Sequence, residues 1–261
     1  MDLKIKNKVA IVTGASTGIG FAIAHSLATS GVKVLLVSRN IEKLKKAVKK
    51  IRKTGGEADF ISGDVSKVST AKKVVKKCLK KWNTVNILIN NSGGPPPGNL
   101  MSQNKKNWDF AIQNNLLSVV RFTQEVVPFM KKNKWGRIIT IGSTIAKEPS
   151  PEMILSATSR GGLGAFSKAV AINFAKDNIS SNIISPGGIL TERFTNLVKV
   201  AAKNEKKSYS DKLSEIEKII PAGRIADPEE IAHLAVFLAS DLSGYINGVD
   251  ISVDGAFTKS Y

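Results

Sequence analysis

The sequence predicts an α/β domain of the doubly wound type, a parallel sheet covered by helices on both faces. Two observations carry the prediction. Short apolar runs rich in Val and Ile alternate with longer amphipathic stretches, and the first run enters the first helix through a glycine-rich turn. The 261 residues show no internal repeat, low-complexity linker or composition break, so one domain is expected over 1–261.

The first strand is VAIVTG (9–14), followed by a helix over GIGFAIAHSLATSG (18–31) and a second strand, VKVLLVSR (32–39). Two lysine-rich helices follow, KLKKAVKKIRK (43–53) and KKVVKKCLKK (72–81). Their apolar residues recur at helical spacing: Leu44, Ala47, Val48 and Ile51 in one, Val74, Val75, Cys78 and Leu79 in the other. The lysines then fall on the opposite, solvated faces. EADFISGDV (57–65) lies between the two as the third strand, and VNILINNSG (85–93) is the fourth. A helix through 104–132 leads to the strand GRIITIGS (136–143), and a helix from Thr158 to Asp177 leads to SNIISPGG (181–188). Residues from about 190 to 220 form a lysine-rich insertion, read as a mobile substrate flap. DPEEIAHLAVFLAS (227–240) is a helix with Asp227 as cap and Pro228 at its first position, and GVDISVDG (248–255) is the final strand.

Thirty-nine basic against 21 acidic residues give a formal net charge of +18. Most of the excess is the lysine of the two helices, whose plain reading is solvation. The functional alternative is electrostatic capture of nucleic acid, a phosphorylated cofactor or an acidic carrier protein. The runs lack interleaved aromatics, which argues against nucleic acid. One cysteine, Cys78, cannot close an intrachain disulfide, and with only His25 and His233 no metal cluster is expected. The N-terminal apolar stretch is too short for a signal-peptide core, and no run approaches the ~20 residues of a membrane span. A cytoplasmic protein is the expectation.

TGASTGIG (13–20) lies where a phosphate-binding turn belongs. Gly14 permits the sharp turn, Gly18 lets the backbone approach a diphosphate, and Gly20 lets the helix pack on the sheet, with Ser16, Thr17 and Ile19 between them. The alternative is a turn used for packing alone. At the tip of the second strand, where an acid would bind an unphosphorylated ribose, stand Ser38, Arg39 and Asn40. A guanidinium there binds a 2′-phosphate through charge-assisted hydrogen bonds, so NADP(H) is favoured and NAD(H) is the second choice; an ordinary surface arginine is the alternative. Asp64 with Val65, and Asn91-Ser92-Gly93, lie at two further strand ends. Asp64 is expected to accept from the adenine amino group and Asn91 to brace the strands, although each by itself also fits a turn or cap.

These motifs, together with Asn115 in NNLLSVVR, Ser143 in GRIITIGS, Pro186-Gly187 and PAGRIADPEEIAHLAVFLASD, resemble the short-chain dehydrogenase/reductase family over nearly the whole chain. The resemblance is nearest to the 3-oxoacyl-acyl-carrier-protein reductase branch. It implies a seven-stranded Rossmann domain, usually in dimers or tetramers, with the dinucleotide across the strand ends, and it adds Ile189 and Thr191 to the cofactor contacts.

The family's chemistry uses Asn, Ser, Tyr and Lys, the last two spaced Y-x-x-x-K. Asn115 and Ser143 match the first two; Ser156 and Arg160 stand at the Tyr and Lys positions. The three tyrosines, Tyr209, Tyr245 and Tyr261, lie elsewhere. Ser156 can hydrogen-bond a developing alkoxide, but an alkyl hydroxyl is a far weaker acid than a phenol. Arg160 retains the positive charge and can bind the nicotinamide ribose. A water chain is the expected proton source, with His233 and Tyr209 as weaker candidates and His233 read as a core-facing or capped helix residue. GGPPPG (93–98) is a second departure, stiffening the loop beside the nicotinamide. The resulting expectation is an NADP(H)-dependent oxidoreductase acting on a small-molecule or acyl-thioester carbonyl. The alternative is a dinucleotide-binding pseudoenzyme serving as sensor or scaffold.

Overall fold

Val9–Thr13 (β1) is buried along its whole length, as a strand must be when both faces of its sheet are covered. In the computed structural model, which describes residues 2–260, β1 pairs in parallel with Lys33–Ser38 (β2) on one side and Ile87–Asn90 (β4) on the other. Ala58–Ser62 (β3) lies outside β2, and Gly136–Ile141 (β5), Ile179–Pro186 (β6) and Asp250–Val253 (β7) continue beyond β4. The seven strands run β3-β2-β1-β4-β5-β6-β7, every pairing parallel. This is the expected Rossmann topology.

Successive strand residues feed opposite helix layers. Ala10, Val12, Val34 and Leu36 face the layer of Gly18–Thr29 (α1), Ile41–Lys53 (α2) and Pro228–Leu238 (α9). Val9, Ile11, Leu35 and Val37 face the layer of Val68–Trp82 (α3), Ser118–Lys132 (α5) and Ile154–Phe174 (α6). The lysine-rich helices sit as their spacing predicts: α2 buries Leu44, Ala47, Val48 and Ile51, and α3 buries Val74, Val75 and Cys78 with Leu79 half-buried. In α9, Glu230 accepts from the backbone N–H of Asp227 at 2.9 Å, completing a capping box.

Three elements depart from the sequence reading. The helix expected through 104–132 is broken by a π-turn at Gln113–Leu117 between Lys105–Ile112 (α4) and α5. The helix expected from Thr158 begins at Ile154, which places Ser156 inside its first turn. The 190–220 insertion is helical, Glu192–Asn204 (α7) packing on Tyr209–Ile219 (α8).

Candidate active site

The site lies where the sheet connectivity reverses. β1 and β4 are neighbours at the centre of the sheet, and the segments leaving their C-terminal ends diverge, opening a cleft of ≈ 740 Å³. Its floor is the glycine turn. Gly14 has φ +59, and a Cβ there would lie 2.6 Å from Asn91 Nδ2; a Cβ on Gly20 would lie 2.4 Å from the Gly14 carbonyl oxygen. Asn91 fixes this contact by donating to the carbonyls of Thr13 at 3.3 Å and Gly14 at 3.2 Å, while its own N–H donates to Thr13 Oγ1 at 2.9 Å. Asn91 braces β1 against β4 as expected.

The N-terminus of α1 faces the cleft with neither a side-chain cap nor an acid in its first turn. Its free N–H groups and positive dipole end form an anion cradle. Ser16, Thr17, Gly18 and Ile19 line it. Ser38 and Arg39 close one end, with Ser38 Oγ 2.9 Å from Ser16 Oγ, and Arg39 forms no ion pair among the described residues. Asp64, Val65, Ser92, Gly93 and Thr191 complete the predicted lining. Asp64 Oδ1 already accepts from the N–H and hydroxyl of Ser66, at 2.9 and 2.7 Å. Burial pushes the Asp64 carboxyl up, but the Ser66 hydrogen bonds and the charges of Arg39 and Lys67 outweigh it, leaving it below the usual range.

Gly20, Arg160, Pro186, Gly187 and Ile189 stand behind the lining, as do Asn115, Ser143 and Ser156. Pro186 ends β6 and its carbonyl accepts from Thr144 Oγ1 at 3.3 Å; a Cβ on Gly187 would lie 2.6 Å from Asp254 Cβ; Ile189 is buried and bridges to Ala226.

At the other end the π-turn directs two adjacent asparagines at one loop. Asn114 Nδ2 donates to the Gly93 carbonyl at 2.7 Å, and Asn115 Nδ2 to Ser92 Oγ at 2.9 Å. Asn115 Oδ1 is buried with no partner among the described residues. Ser143 caps the short turn Thr144–Ala146, its Oγ accepting from the Ile145 N–H at 3.4 Å. Ser156 and Arg160 lie one turn apart on α6, 5% and 8% exposed, and Arg160 Nη1 donates to Ser156 Oγ at 2.7 Å. Burial and then the nearby charge of Arg193 lower the Arg160 guanidinium to about 10, so it remains a cation at neutral pH.

The sequence reading missed Asn114, Phe110 and Arg193, all in the cleft wall. Arg193 on α7 donates to the carbonyls of Gly94 at 2.9 Å and Pro95 at 2.8 Å, and Glu192 reaches Lys43 of α2 at 3.0 Å. The insertion is thereby tied across the cleft at two points. Nothing in the local sequence announces a contact made through tertiary folding. His233 is exposed on α9, not core-facing, and lies outside the cleft wall, as does half-buried Tyr209 at the start of α8. Tyr261 lies outside the described residues. Among the described residues no group of His, Cys, Asp and Glu could hold a metal ion.

The model of a family described as enoyl-(acyl carrier protein) reductase matches residues 14–258. A 3-oxoacyl-[acyl-carrier-protein] reductase FabG of Chlamydia muridarum is 37% identical over 257 residues, 98% of this chain and 99% of that one. The L-sorbose reductase of Gluconobacter frateurii, solved with NADPH and L-sorbose, superposes over 100% of both chains with a TM-score of 0.95 at 32% identity. A 3-oxoacyl (acyl-carrier-protein) reductase of Agrobacterium tumefaciens C58 with NADP bound gives a TM-score of 0.87 at 28% identity, covering 96% of this chain and 94% of that one. Fold, glycine turn and near-complete coverage agree, and the chain belongs to the short-chain dehydrogenase/reductase family, on its 3-oxoacyl reductase-like side.

Proposed function

We propose that this protein is an NADP(H)-dependent reductase interconverting a carbonyl and an alcohol, with Ser156 and Arg160 doing the work of the family's tyrosine and lysine. The observation that carries it is the cleft itself, with the uncapped α1 N-terminus at its centre and an unpaired Arg39 at one end. The cradle suits a diphosphate because the α1 N-terminus is uncapped, and the missing Cβ atoms of Gly14 and Gly20 let the turn pack closely against Asn91 and its own backbone. Arg39 suits a ribose 2′-phosphate, and the NADPH and NADP held by the two solved relatives support the same cofactor, with NAD(H) the weaker ligand.

When bound, the nicotinamide supplies or accepts the hydride. The chain's own residues manage the oxygen. Because Ser156 Oγ accepts from Arg160 Nη1, its hydroxyl hydrogen is directed away from the guanidinium and is free to donate to the substrate oxygen. Arg160 places a permanent charge one hydrogen bond behind that oxygen, stabilising alkoxide character in a buried setting. Ser143 offers a second hydroxyl. Asn115 Oδ1 is the acceptor on which a water would sit to feed the proton that Ser156 is too weak an acid to release alone.

The substrate class follows the relatives' names, a small-molecule or acyl-thioester carbonyl. Among the described residues no helix is long and apolar enough to cross a membrane. The proposed location, the cytoplasm, rests instead on the resemblance to the 3-oxoacyl reductases. Exposed Leu242, Tyr245, Val249 and Phe257, near the β7 edge, support assembly as a dimer or tetramer.

Titration of NADPH fluorescence tests cofactor binding, and absorbance at the nicotinamide band with 3-oxoacyl thioesters, sugars and simple ketones tests turnover. Saturable NADPH binding with consumption by one substrate class is the expected result. Binding without turnover of any carbonyl would establish the pseudoenzyme instead, and absence of binding would remove the reading entirely.

A further inference from the structure

Arg160 is a buried guanidinium without a carboxylate. The arginine ion pairs among the described residues are Arg137–Asp241 and Arg224–Glu230; Arg160 and Arg193 belong to neither. Leaving a cation out of water without a counter-charge is costly, and natural sites that do so usually receive the counter-charge from a ligand. Of the five N–H donors of Arg160, the chain uses one, on Ser156. Its other nitrogens make no hydrogen bond to the described residues, and the side chain keeps 8% of its surface exposed. Arg193 lines the cleft and is the charge that Arg160 feels most. It is held there by carbonyls, which direct the guanidinium without neutralising it.

Arg193 and Asn114 converge on one loop, which borders the start of the helix that carries Arg160. Gly93 and Gly94 meet Asn114 and Arg193, and the same loop is tied to the start of α6 by the Gly98 N–H donating to the Glu152 carbonyl at 2.6 Å. The acids bordering this end are engaged elsewhere or turned outward. Glu192 pairs with Lys43, and Glu152 is exposed beside Asn99 Nδ2 at 3.4 Å.

We propose that the substrate carries an ionised carboxylate close to its reacting carbonyl, and that this carboxylate docks between Arg160 and Arg193. Resting on the reductase reading above, the proposal replaces the neutral thioester of a carrier-bound acyl chain with a free oxo acid. A planar guanidinium presents paired donors to a carboxylate, and a second cation across the site completes the recognition. Arg193 thereby acts as a specificity residue supplied by the insertion.

The test uses acetoacetate, its methyl ester and its N-acetylcysteamine thioester, which share the 3-oxo group and differ in charge. Each is titrated into the full chain, both with NADP+ bound, which cannot reduce them, and without cofactor, by shift of the melting temperature. The expected result is that the acid binds at least ~10-fold more tightly than either neutral analogue, the scale of a charge-assisted pair. Added salt should reduce the advantage, and Arg193→Met should remove it. Equal binding of acid, ester and thioester to the unaltered chain would overturn the proposal even if a variant failed to fold, as would an undiminished preference in Arg193→Met. Failure of NADPH to bind would show separately, in the NADPH fluorescence titration described above, and would leave the cofactor-free comparison still decisive for the anion site.

Discussion

Gly20→Ala tests whether the glycine turn is held by contact or merely by convention. Gly20 is the first residue behind the cradle and does not line the cleft, so its replacement reaches cofactor binding only through packing. The new Cβ would lie 2.4 Å from Gly14 O, 2.6 Å from Asn91 Nδ2 and 2.8 Å from Gly14 C. Two of these atoms are backbone of the turn, and the third belongs to a side chain held by two carbonyls. To restore even a 3.0 Å contact, α1 must move away from the turn by about 0.6 Å. Overpacking of this kind costs about 1–3 kcal/mol, and loss of the Asn91 to Gly14 hydrogen bond adds about 1 kcal/mol. A loss of about 3 kcal/mol in a chain of this size lowers Tm by roughly 6–12 °C. Thermal unfolding followed by circular dichroism reads that shift, and NADPH titration should show weakened binding because the cradle has been pried open. If Gly20→Ala melted within about 1 °C of the unaltered protein, the contact between turn and helix would not be what shapes the site.

Arg39→Glu should weaken NADPH by roughly 100-fold or more while changing NADH by less than ~5-fold, because only the 2′-phosphate loses its donors and meets a like charge; paired fluorescence titrations check this. If, as proposed, the Ser156 hydroxyl acts on the reacting oxygen, Ser156→Ala should lower kcat by about 100-fold at nearly constant NADPH affinity; a comparable fall in NADPH binding would place Ser156 among the structural residues. Arg160→Met should slow turnover at least as much, because it removes the charge behind that hydroxyl. Cys78 is fully buried, and burial pushes its thiol up to about 12 from a usual value of 9.0. It should therefore ignore thiol reagents at pH 8 until the chain unfolds. Since the unfolded thiol ionises first, its contribution to stability is complete below pH 9 and is lost as pH climbs toward 12. Rapid labelling of the native protein at pH 8 would contradict the packing of α3.

What the sequence made legible was whatever depends on local periodicity. The lysine-rich helices bury the residues their spacing selects because a 3.6-residue repeat admits one apolar face. The glycine turn was readable because a positive φ at Gly14 and a missing Cβ at Gly20 are backbone requirements written in residue identity. The π-turn was not, since Gln113–Leu117 carries no residue that forbids an α-helix; the extra residue per turn is selected by the fit of Asn114 and Asn115 against the loop at Gly93. Arg193 was invisible for a related reason. Its partners are carbonyls 98 and 99 residues away, and carbonyls are supplied by every residue.

The Ser156–Arg160 pair can be read as a coordinated exchange of reach. In the family pattern a long phenol and a long ammonium stand one turn apart. Here the hydroxyl retreats to the length of a serine, and the cation extends to the fork of an arginine that meets it at 2.7 Å. An i, i+4 spacing on one helix face allows this contact without moving the backbone. The exchange sets the hydroxyl and the charge behind the cleft wall, where Ser156 is 5% and Arg160 8% exposed. Two consequences follow together. On the proposed reading the substrate oxygen would enter more deeply to meet the hydroxyl, and Arg160, which spends one donor on Ser156, has donors to spare. A site that recedes while keeping its charge favours a substrate able to fill both the depth and the charge, and a compact oxo acid does so where a neutral acyl chain would leave Arg160 uncompensated.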